Sequence, residues 1–389
     1  MRDLFGAATA TPPQKRAVMA AFEDAFTRRF GVRSAVPTGS GRLGLRLILK
    51  GLGIGPGAEV IVPAFTDESV PEAIIKAGAT PVFVDVSLQT FNLDPDQVEA
   101  AIVPQTRAIV ATHIFGAPCD MSSMLRFAQQ YDLDIIEDCA HAIDSAWQGR
   151  ACGSLGTAAI FSFVVTKAVN AFGGGMVATC SDTVDSAVRS AVSELPLPDS
   201  LALLRRIMVG YALHHATKPD AFGLLGVPLL KGLSSDAVGL YNRLVRPGTV
   251  NANRDTAFSP VQAAAALSQL RSLDETQAAR RIAAERIIAS MPAGLRPQVT
   301  LEGDRHSWYF LVALADDPDA VVAHCLRRGV DVGRNPMRNV GRGSATSSGS
   351  SRFPNAQAVY ERGIQIPIHP TLNIDAVDRV VDAVGSFRG

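Results

Sequence analysis

Short apolar runs alternate with amphipathic stretches through the first half of this chain. Each run is bounded by turn residues and is too short for a buried helix, which is typical of a strand buried on both faces. Strands are predicted at 59–65, 80–86, 107–113, 133–136, 158–165 and 176–179. Helices are predicted at 69–77, 94–102, 121–130 and 182–193. The alternation predicts an α/β fold whose mostly parallel sheet is covered by helices on both faces.

The start of the chain has a different character. Residues 1–13 are interpreted as an N-terminal arm that ends in Pro12 and Pro13. Apolar residues then recur at intervals of four, which predicts a helix over 14–30. This helix opens a large α/β domain that we assign to residues 14–250.

Residues 196–247 form a strongly apolar insert that proline and glycine interrupt. Two interpretations stay open. The insert forms helices packed at a subunit interface or beneath a lid, or it forms a surface for a hydrophobic substrate tail or a membrane. The first is favoured, because buried apolar helices are common in a chain long enough for a large core.

The pattern changes again near residue 251, where a smaller C-terminal α+β domain is assigned to 251–389. A helix pair is predicted over 257–287, and strands follow at 306–314 and 330–332 with a helix between them. The second half of the chain therefore adds a second lobe to the predicted sheet.

Composition narrows the class of protein. The 389 residues suffice for two lobes, and 37 acidic residues balance 37 basic ones, which argues against a nucleic-acid or anionic-membrane partner bound by bulk charge. The five cysteines form no CxxC pair, so neither a disulfide framework nor a metal site is expected. No signal-peptide pattern and no run of about 18 apolar residues is found. These features favour a cytoplasmic enzyme with no spanning segment.

Two polar side chains follow the ends of predicted strands. Asp138 closely follows the strand at 133–136, and Lys167 follows the run at 158–165. In open α/β sheets, ligands bind at the carboxyl ends of the strands. A lysine amine can form a Schiff base with pyridoxal phosphate (PLP), and an acid can pair with the pyridine nitrogen of that cofactor. Taken singly, such a lysine is usually solvated and such an aspartate usually caps a helix.

Longer motifs around both residues settle the interpretation. The stretches EDCAHAIDS, GSLGTAAIFSFVVTK and GGGM resemble the DegT/StrS family of PLP-dependent sugar aminotransferases. The resemblance implies that Lys167 is the Schiff-base lysine, that Asp138 faces the pyridine nitrogen, and that Ser162 donates to the cofactor phosphate. His141 stands where the family usually has Gln and would lie near the cofactor ring. The family's dehydratase branch replaces the lysine with His, so the presence of Lys167 argues against that branch.

A Gly-rich turn at Ser40 and Gly41 opens a predicted helix, and the N–H groups at a helix start attract anions. By itself such a turn is more often a plain cap. The family, however, has its phosphate-binding SGTxAL here, which implies that Ser40 and Gly41 hold the phosphate. Arg42 replaces the family's Thr, and it either bonds to the phosphate or faces solvent.

The chain departs from the family where an aromatic residue normally packs on the cofactor ring. Asp67 occupies that position, after Phe65 and Thr66. Asp67 either approaches the substrate or the cofactor, or caps the helix that starts near Ser69, and the cap is the safer interpretation. Phe65 and His141 are left as candidates for stacking on the ring.

A second departure lies at 334–353, where the family carries a His-Tyr-Pro signature that contacts the substrate. This chain has Arg334, Arg338, Arg342 and a Ser/Gly-rich run instead. The arginines either clamp a nucleotide diphosphate or carboxylate or are solvated. The sequence of this region does not indicate which substrate the protein binds.

The resemblance covers nearly the whole chain. It implies the fold-type-I architecture, in which a large, mostly parallel α/β/α sandwich lobe carries a smaller C-terminal α+β lobe, and a homodimer that shares its active sites. It also implies transamination from L-glutamate to a keto group, most often on a nucleotide-linked sugar, with Lys167 as general acid and base.

Two rival functions are kept. One is a PLP enzyme of the same fold that acts on a cyclitol or another non-sugar substrate or forms carbon–carbon bonds, because function depends on the site and not the fold. The other is a non-catalytic regulatory scaffold, against which the intact Lys167, Asp138 and Ser162 argue.

Overall fold

The structure is a computed structural model, and it describes residues 7, 10–216, 255–334, 337–341 and 352–388. The described strands are β1 Ser34–Thr38, β2 Glu59–Pro63, β3 Phe65–Thr66, β4 Thr80–Val84, β5 Thr106–Thr112, β6 Asp134–Asp138, β7 Ala146–Trp147, β8 Arg150–Ala151, β9 Ala158–Ser162, β10 Gly175–Thr179, β11 Leu295–Pro297, β12 Leu311–Ala315, β13 Gly333–Arg334, β14 Arg338–Asn339 and β15 Gly363–Ile366. The described helices are α1 Pro12–Phe30, α2 Gly41–Gly51, α3 Ser69–Ala77, α4 Pro95–Ala101, α5 Met121–Tyr131, α6 Asp182–Ser193, α7 Ser200–Ala216, α8 Pro260–Arg271, α9 Leu273–Ser290, α10 Pro318–Arg327, α11 Pro354–Arg362 and α12 Ile374–Gly385.

A seven-stranded sheet forms the centre of the large lobe, in the order β1-β10-β9-β6-β5-β2-β4. Strand β10 runs antiparallel to both of its neighbours, and every other pair is parallel. The carboxyl ends of β9, β6, β5 and β2 therefore lie along one edge of the sheet. The mostly parallel sheet predicted from the alternating pattern is confirmed.

Both faces of this sheet are covered, because its strands are apolar on both sides. Helices α2, α3 and α6 pack on one face, where Leu45 and Ile48 are fully buried. Helices α1, α5 and α8 pack on the other, where Phe22 and Phe26 lie in the same core as Phe161. The large lobe is thus an α/β/α sandwich.

Helix α8 lies beyond the domain boundary expected from sequence. The sequence pattern assigns it to the C-terminal domain of 251–389, but its buried alanines belong to the large-lobe core and it packs against α1. The apolar side of α8 fits the sheet-covering layer, so the packing boundary between the lobes falls after α8 and not at residue 250.

Helix α1 starts two residues earlier than predicted. Pro12 and Pro13 occupy its first positions, where the missing N–H groups would have no helical partner. The Thr11 N–H donates to Gln14 Oε1 at 2.8 Å, as in a capping box. The two prolines therefore begin the helix, and they do not end an arm.

The small lobe has its own four-stranded sheet, in the order β11-β12-β15-β13, and its own core. The strand predicted over 306–314 begins only at Leu311. Trp308 has a φ of +49°, a left-handed conformation that interrupts an extended strand. The strand predicted at 330–332 is also displaced, to Gly333–Arg334.

Short-range contacts join the two lobes. Strand β14 pairs with β3, so the backbone of Arg338 and Asn339 lies against the end of the large sheet. A shared apolar cluster contains Phe65 and Phe115 from the large lobe and Val312 from the small lobe. The C-terminal lobe is therefore packed directly on the carboxyl edge of the central sheet.

Residues 196–216, which include helix α7, are the described part of the apolar insert predicted at 196–247, and residues 217–247 lie outside the described residues. Its Gly210 lies against Phe172, in the connection that follows Lys167. On its other side Leu201 and Met208 are 75% and 56% exposed. None of the described helices is long and apolar enough to cross a membrane.

Candidate active site

Lys167 lies in an irregular connection between β9 and β10. The apolar run predicted as a strand to residue 165 leaves the sheet at Ser162, and the backbone then folds on itself. The Lys167 N–H donates to the Val164 carbonyl at 2.9 Å, and the Ala171 N–H donates to the Phe163 carbonyl at 2.9 Å. These bonds place the half-buried Lys167 at the carboxyl edge of the sheet.

Two glutamines of α8 support this connection from outside. Gln262 Nε2 donates to the Gly173 carbonyl at 3.0 Å, and Gln269 Oε1 accepts from the Asn170 N–H at 2.9 Å. The segment that carries Lys167 is therefore held on its C-terminal side by side chains from a distant helix.

Asp138 is the last residue of β6, and it is 6% exposed. Its Oδ1 accepts a hydrogen bond of 3.0 Å from the Ala140 N–H. Burial raises the pKa of the Asp138 carboxyl, the Ala140 N–H and the Lys167 charge oppose this rise, and the Asp67 charge adds to it. A ligand with a cationic group at this carboxyl would compensate for the burial.

Glu137, the residue before Asp138, is fully buried and accepts four hydrogen bonds. They come from His113 Nε2 at 3.0 Å and from the N–H groups of Gly153, Leu155 and Gly156 at 2.7, 2.7 and 2.9 Å. Burial raises the pKa of Glu137, but the His113 contact and the backbone donors outweigh it and lower the pKa below its ordinary value. The network fixes the end of β6 and thereby the position of Asp138.

His113, Glu137 and Cys139 also form a group whose ligand atoms lie within 4.8 Å of one another. Each oxygen of Glu137 already accepts two donors. His113 Nδ1 accepts from the Cys119 N–H at 2.9 Å while its Nε2 faces Glu137. Since these donors and acceptors match without an ion, we interpret the group as structural support for Asp138.

Two aromatic rings lie beside His141 and nearly parallel to it. The ring centroid of Tyr309 is 4.3 Å away at an interplanar angle of 20°, and that of Phe115 is 6.0 Å away at 11°. The Phe115 N–H donates to His141 Nδ1 at 3.2 Å, which leaves the proton of the neutral ring on Nε2. Burial and then the Lys167 charge hold the pKa of His141 well below its usual range. These contacts favour a neutral His141 that presents an N–H at Nε2 and has the Tyr309 ring stacked on it.

Tyr309 belongs to this site, and sequence reasoning missed it. Lys167 Nζ lies 4.7 Å from the Tyr309 ring centroid, and both residues line one small cavity with His141 and Ser162. The sequence predicts a regular strand here, which gives Tyr309 no special position. The three consecutive aromatic residues Trp308, Tyr309 and Phe310 were the available signal.

A cradle suited to a phosphate lies beside Lys167. Ser40 caps α2 by accepting from the Leu43 N–H at 3.2 Å, so its hydroxyl proton can be donated outward. A side chain at Gly41 would come within 3.7 Å of Ser162 Cβ, and one at Gly175 within 2.5 Å of the Gly41 nitrogen. Glycine at both positions lets the start of α2 approach the end of β9.

Two of the predicted cofactor contacts lie elsewhere. Phe65 is fully buried and meets Phe115 edge-to-face at 5.9 Å, so its ring face is covered by the core that joins the lobes. Arg42 lines a different cleft between α2 and α3, together with Glu72 and Lys76. These placements do not bring either side chain to the cavity that contains Lys167.

The predicted substrate contacts are also separated by the fold. Asp67 accepts from the Ser69 N–H at 2.9 Å, as the cap interpretation expected, and its charge still acts on Asp138. Arg338 lies nearby on β14, where it pairs with Glu68 at 3.0 Å. Arg334 instead pairs with Asp319 at 2.8 Å within the small lobe. Asp67 and Arg338 thus lie at one rim, whereas Arg334 does not.

The residues at this edge fit pyridoxal phosphate. A buried carboxyl, a lysine amine, and a helix start with two nearby serine hydroxyls are the three groups that this cofactor requires at its nitrogen, aldehyde and phosphate ends. In the described chain they are brought together by strands that end at the same edge, from positions as far apart in sequence as Ser40 and Lys167.

Comparison with known proteins identifies the family. The sequence model of the DegT/DnrJ/EryC1/StrS aminotransferase family matches residues 15–195 and 251–385. The intervening residues, which contain the apolar insert predicted at 196–247, lie outside the match.

Curated relatives align over most of the chain. The Spore coat polysaccharide biosynthesis protein SpsC of Bacillus subtilis is 32% identical, over 93% of this chain and 87% of its own. GDP-perosamine synthase of Caulobacter vibrioides is 30% identical, over 93% and 88%.

The solved structure of DesV from S. venezuelae, in complex with a ketimine intermediate, is 27% identical and has a TM-score of 0.71 over 95% of this chain and 88% of that one. The fold is therefore the predicted fold-type-I architecture, and the resemblance noted in the sequence is confirmed. The chain belongs to the DegT/DnrJ/EryC1/StrS family and is a PLP-dependent aminotransferase.

Proposed function

We propose that this aminotransferase moves an amino group from L-glutamate to the keto group of a nucleotide-linked sugar. The observation that carries the proposal is the convergence of Lys167, Asp138 and the Ser40–Ser162 cradle on one sheet edge. The names of two relatives, a GDP-perosamine synthase and a spore coat polysaccharide biosynthesis protein, support a sugar acceptor.

The bound cofactor would supply an electron sink for cleavage of a bond to the substrate Cα. In this proposal Asp138 holds a positive charge at the ring nitrogen, which also offsets the cost of burying the carboxyl. Ser40, Gly41 and Ser162 bind the phosphate. Lys167 holds the cofactor, and its freed amine moves a proton as general acid and base. His141 remains neutral, and its Nε2–H is the group that can donate a hydrogen bond.

We place the nucleotide side of the acceptor at the rim formed by β3 and β14. Arg338 is there, with a side chain that is 70% exposed and paired with the exposed Glu68. An arginine in such a pair can exchange its partner for a phosphate with little cost, because exposed ion pairs contribute at most about 1 kcal/mol. Asp67, close by, would face the sugar and not the diphosphate.

We also propose a homodimer. The outer face of α7 exposes Leu201, Leu204 and Met208, and an apolar row of this kind is typical of a surface that a subunit contact buries. Light scattering coupled to size exclusion should give twice the chain mass. A monomeric mass at micromolar concentration would contradict this part of the proposal.

The acceptor is tested by loading the protein with pyridoxamine phosphate and adding ketones one at a time. Return of the aldehyde absorbance with a keto-sugar nucleotide, and not with the free keto-sugar, is expected. If only a cyclitol or another simple ketone reacts, the sugar assignment fails.

A companion measurement separates the catalytic interpretation from a regulatory scaffold. Lys167→Ala should lose covalent capture of PLP, read as the mass of the borohydride-reduced protein. Capture that persists in Lys167→Ala would refute the assignment of the lysine. A wild-type protein that never captures PLP would favour the scaffold.

A further inference from the structure

The small-lobe segment Ser307–Phe310 lies across the sheet edge that carries the site. The Ser307 hydroxyl donates to the His141 carbonyl at 2.9 Å, and the Ser307 N–H donates to the Gly116 carbonyl at 3.1 Å. The Phe310 N–H donates to the Phe115 carbonyl at 3.3 Å. The segment is therefore fixed to the large lobe on both sides of Tyr309.

The backbone of this segment is bent by its own contacts. Trp308 has a φ of +49° and stacks on His306 with ring centroids 3.8 Å apart. Arg280, which is 8% exposed, donates to the Tyr309 carbonyl at 3.0 Å. A left-handed residue followed by an anchored carbonyl turns the Tyr309 side chain out of the small-lobe core and toward His141.

The Tyr309 ring contacts two groups of the site at once. It is 5% exposed, its face covers the His141 imidazole at 4.3 Å, and Lys167 Nζ lies 4.7 Å from its centroid. An amine over an aromatic face is attracted to the ring, and a stacked ring excludes water from its neighbour. The rings of Phe115 and Phe310 also lie beside His141, and neither of these side chains has a titratable group.

We propose that Tyr309 is a positioning residue of the aminotransferase reaction: its ring holds the Lys167 amine at the sheet edge and shields the His141 imidazole from water. The inference rests on the proposed role of Lys167. It assigns to the small lobe a part in setting the position of the Lys167 amine.

The charge state of His141 follows from this arrangement. The titratable groups that face it in the described chain are Lys167 from the β9–β10 connection and Tyr309 from the small lobe. Burial, to which the Tyr309 ring contributes, and then the Lys167 charge hold the pKa of His141 well below its usual range, which favours the neutral ring. Removing the Tyr309 ring admits water, so the pKa of His141 should rise, and the imidazole should then gain a proton as the pH falls.

The test compares Tyr309→Leu, which removes the ring, with Tyr309→Phe, which keeps it. Phe127→Leu is the matched control, because Phe127 is a fully buried aromatic of the large-lobe core on α5. Exchange of the imidazole C2 proton, followed by mass spectrometry of the His141 peptide, reports the titration of that ring in the protein without an activity assay.

His141 should gain its proton at a higher pH in Tyr309→Leu than in the wild type, in Tyr309→Phe and in Phe127→Leu, because only Tyr309→Leu removes the ring that contributes to its burial. In the donor half-reaction kcat should fall about tenfold in Tyr309→Leu with little change in KM, because the ring positions the lysine and does not bind the donor. Tyr309→Phe should restore both properties.

Three outcomes overturn the proposal. They are a Tyr309→Leu variant that matches the wild type in both measurements, a Tyr309→Phe variant as impaired as Tyr309→Leu, and a loss confined to KM. If Tyr309→Leu does not fold, Tyr309→Met replaces it, and failure of both to fold while Tyr309→Phe folds shows a purely structural role. Borohydride capture on Lys167 is measured in parallel, so a failure of the lysine assignment is seen separately.

Discussion

Replacing Glu137 by glutamine is the sharpest test of what holds Asp138 in place. Glutamine keeps the shape of the side chain but exchanges one acceptor oxygen for an NH2 group. Each oxygen of Glu137 accepts two hydrogen bonds, from Leu155 and Gly156 on one side and from His113 and Gly153 on the other. Whichever way the amide turns, its NH2 group faces two donors.

The cost follows from the number of bonds lost. A hydrogen bond to a charged acceptor contributes about 1.5–3 kcal/mol, so losing two costs about 3–6 kcal/mol. Glu137 is fully buried, and in the described part of the chain no solvent reaches its oxygens to replace the lost partners. Since whole proteins are stable by about 5–15 kcal/mol, Glu137→Gln should unfold a large share of the large lobe at moderate urea concentration.

The effect should also depend on pH. The pKa of Glu137 is lower in the folded protein than its ordinary value of 4.5, so its ionisation stabilises the fold above that value. This contribution is lost as the pH falls through the folded pKa. The difference in stability between the wild type and Glu137→Gln should therefore be constant near neutrality and shrink below a pH of about 4.5.

Urea unfolding followed by tryptophan fluorescence measures the change, and hydrogen exchange of the peptide covering 153–156 locates it. Glu99→Gln is the matched control, because Glu99 lies on the exposed side of α4, where it pairs with Arg126 at 3.6 Å, and should change stability by less than about 1 kcal/mol. If Glu137→Gln costs no more than this control and the amides at 153–156 stay protected, the reasoning is refuted.

Three further results are expected. Gly175→Ala should weaken PLP binding at least about tenfold in a fluorescence titration, because its new Cβ would lie 2.5 Å from backbone atoms of the cradle, whereas Gly294→Ala, which meets nothing within 4 Å, should bind normally. Lys167→Arg should keep the charge and bind PLP without the covalent link, as an unchanged mass after borohydride would report. Arg338→Ala should raise the KM for the keto-sugar nucleotide about tenfold while Arg334→Ala leaves it unchanged, and equal effects would contradict the placement of the rim.

The sequence predicts the parts of this fold that follow from local pattern. Helix α3 occupies Ser69–Ala77, as the apolar spacing and the flanking turn residues indicate. The strand ends at Asp138 and Ser162 fall at one edge because β6 and β9 are parallel neighbours, and the connection with β7 and β8 between them returns the chain to the opposite edge. Asp138 and Lys167 can therefore be assigned to one site from the order of strands and helices along the chain.

What the sequence does not predict depends on contacts between distant segments. The chain leaves the sheet at Ser162, and the connection that follows is held by contacts with Gln262 and Gln269 of α8. The apolar run, which continues to Val165, does not indicate that the strand ends at Ser162. The bend at Trp308 likewise comes from tertiary anchors, so the pattern predicts a strand where Tyr309 turns toward the site. Pro12 is misassigned to an arm for a different reason, because proline breaks a helix in its interior but fits its first turn.

The residues after Asp138 show why these distant contacts matter for the chemistry. Asp144, only three residues beyond His141, pairs with Arg29 of the large lobe at 3.2 Å and with Arg281 and Arg305 of the small lobe at 3.8 and 3.6 Å. Its side chain is 10% exposed, so these pairs are screened by water less than surface pairs are. One short segment thus supplies Asp138 and His141 to the site and is tied to both lobes. The segment that carries His141 and the lobe that carries Tyr309 are therefore joined by these ion pairs as well as by the hydrogen bond from Ser307 to the His141 carbonyl, which explains how two residues far apart in sequence come to stack on each other.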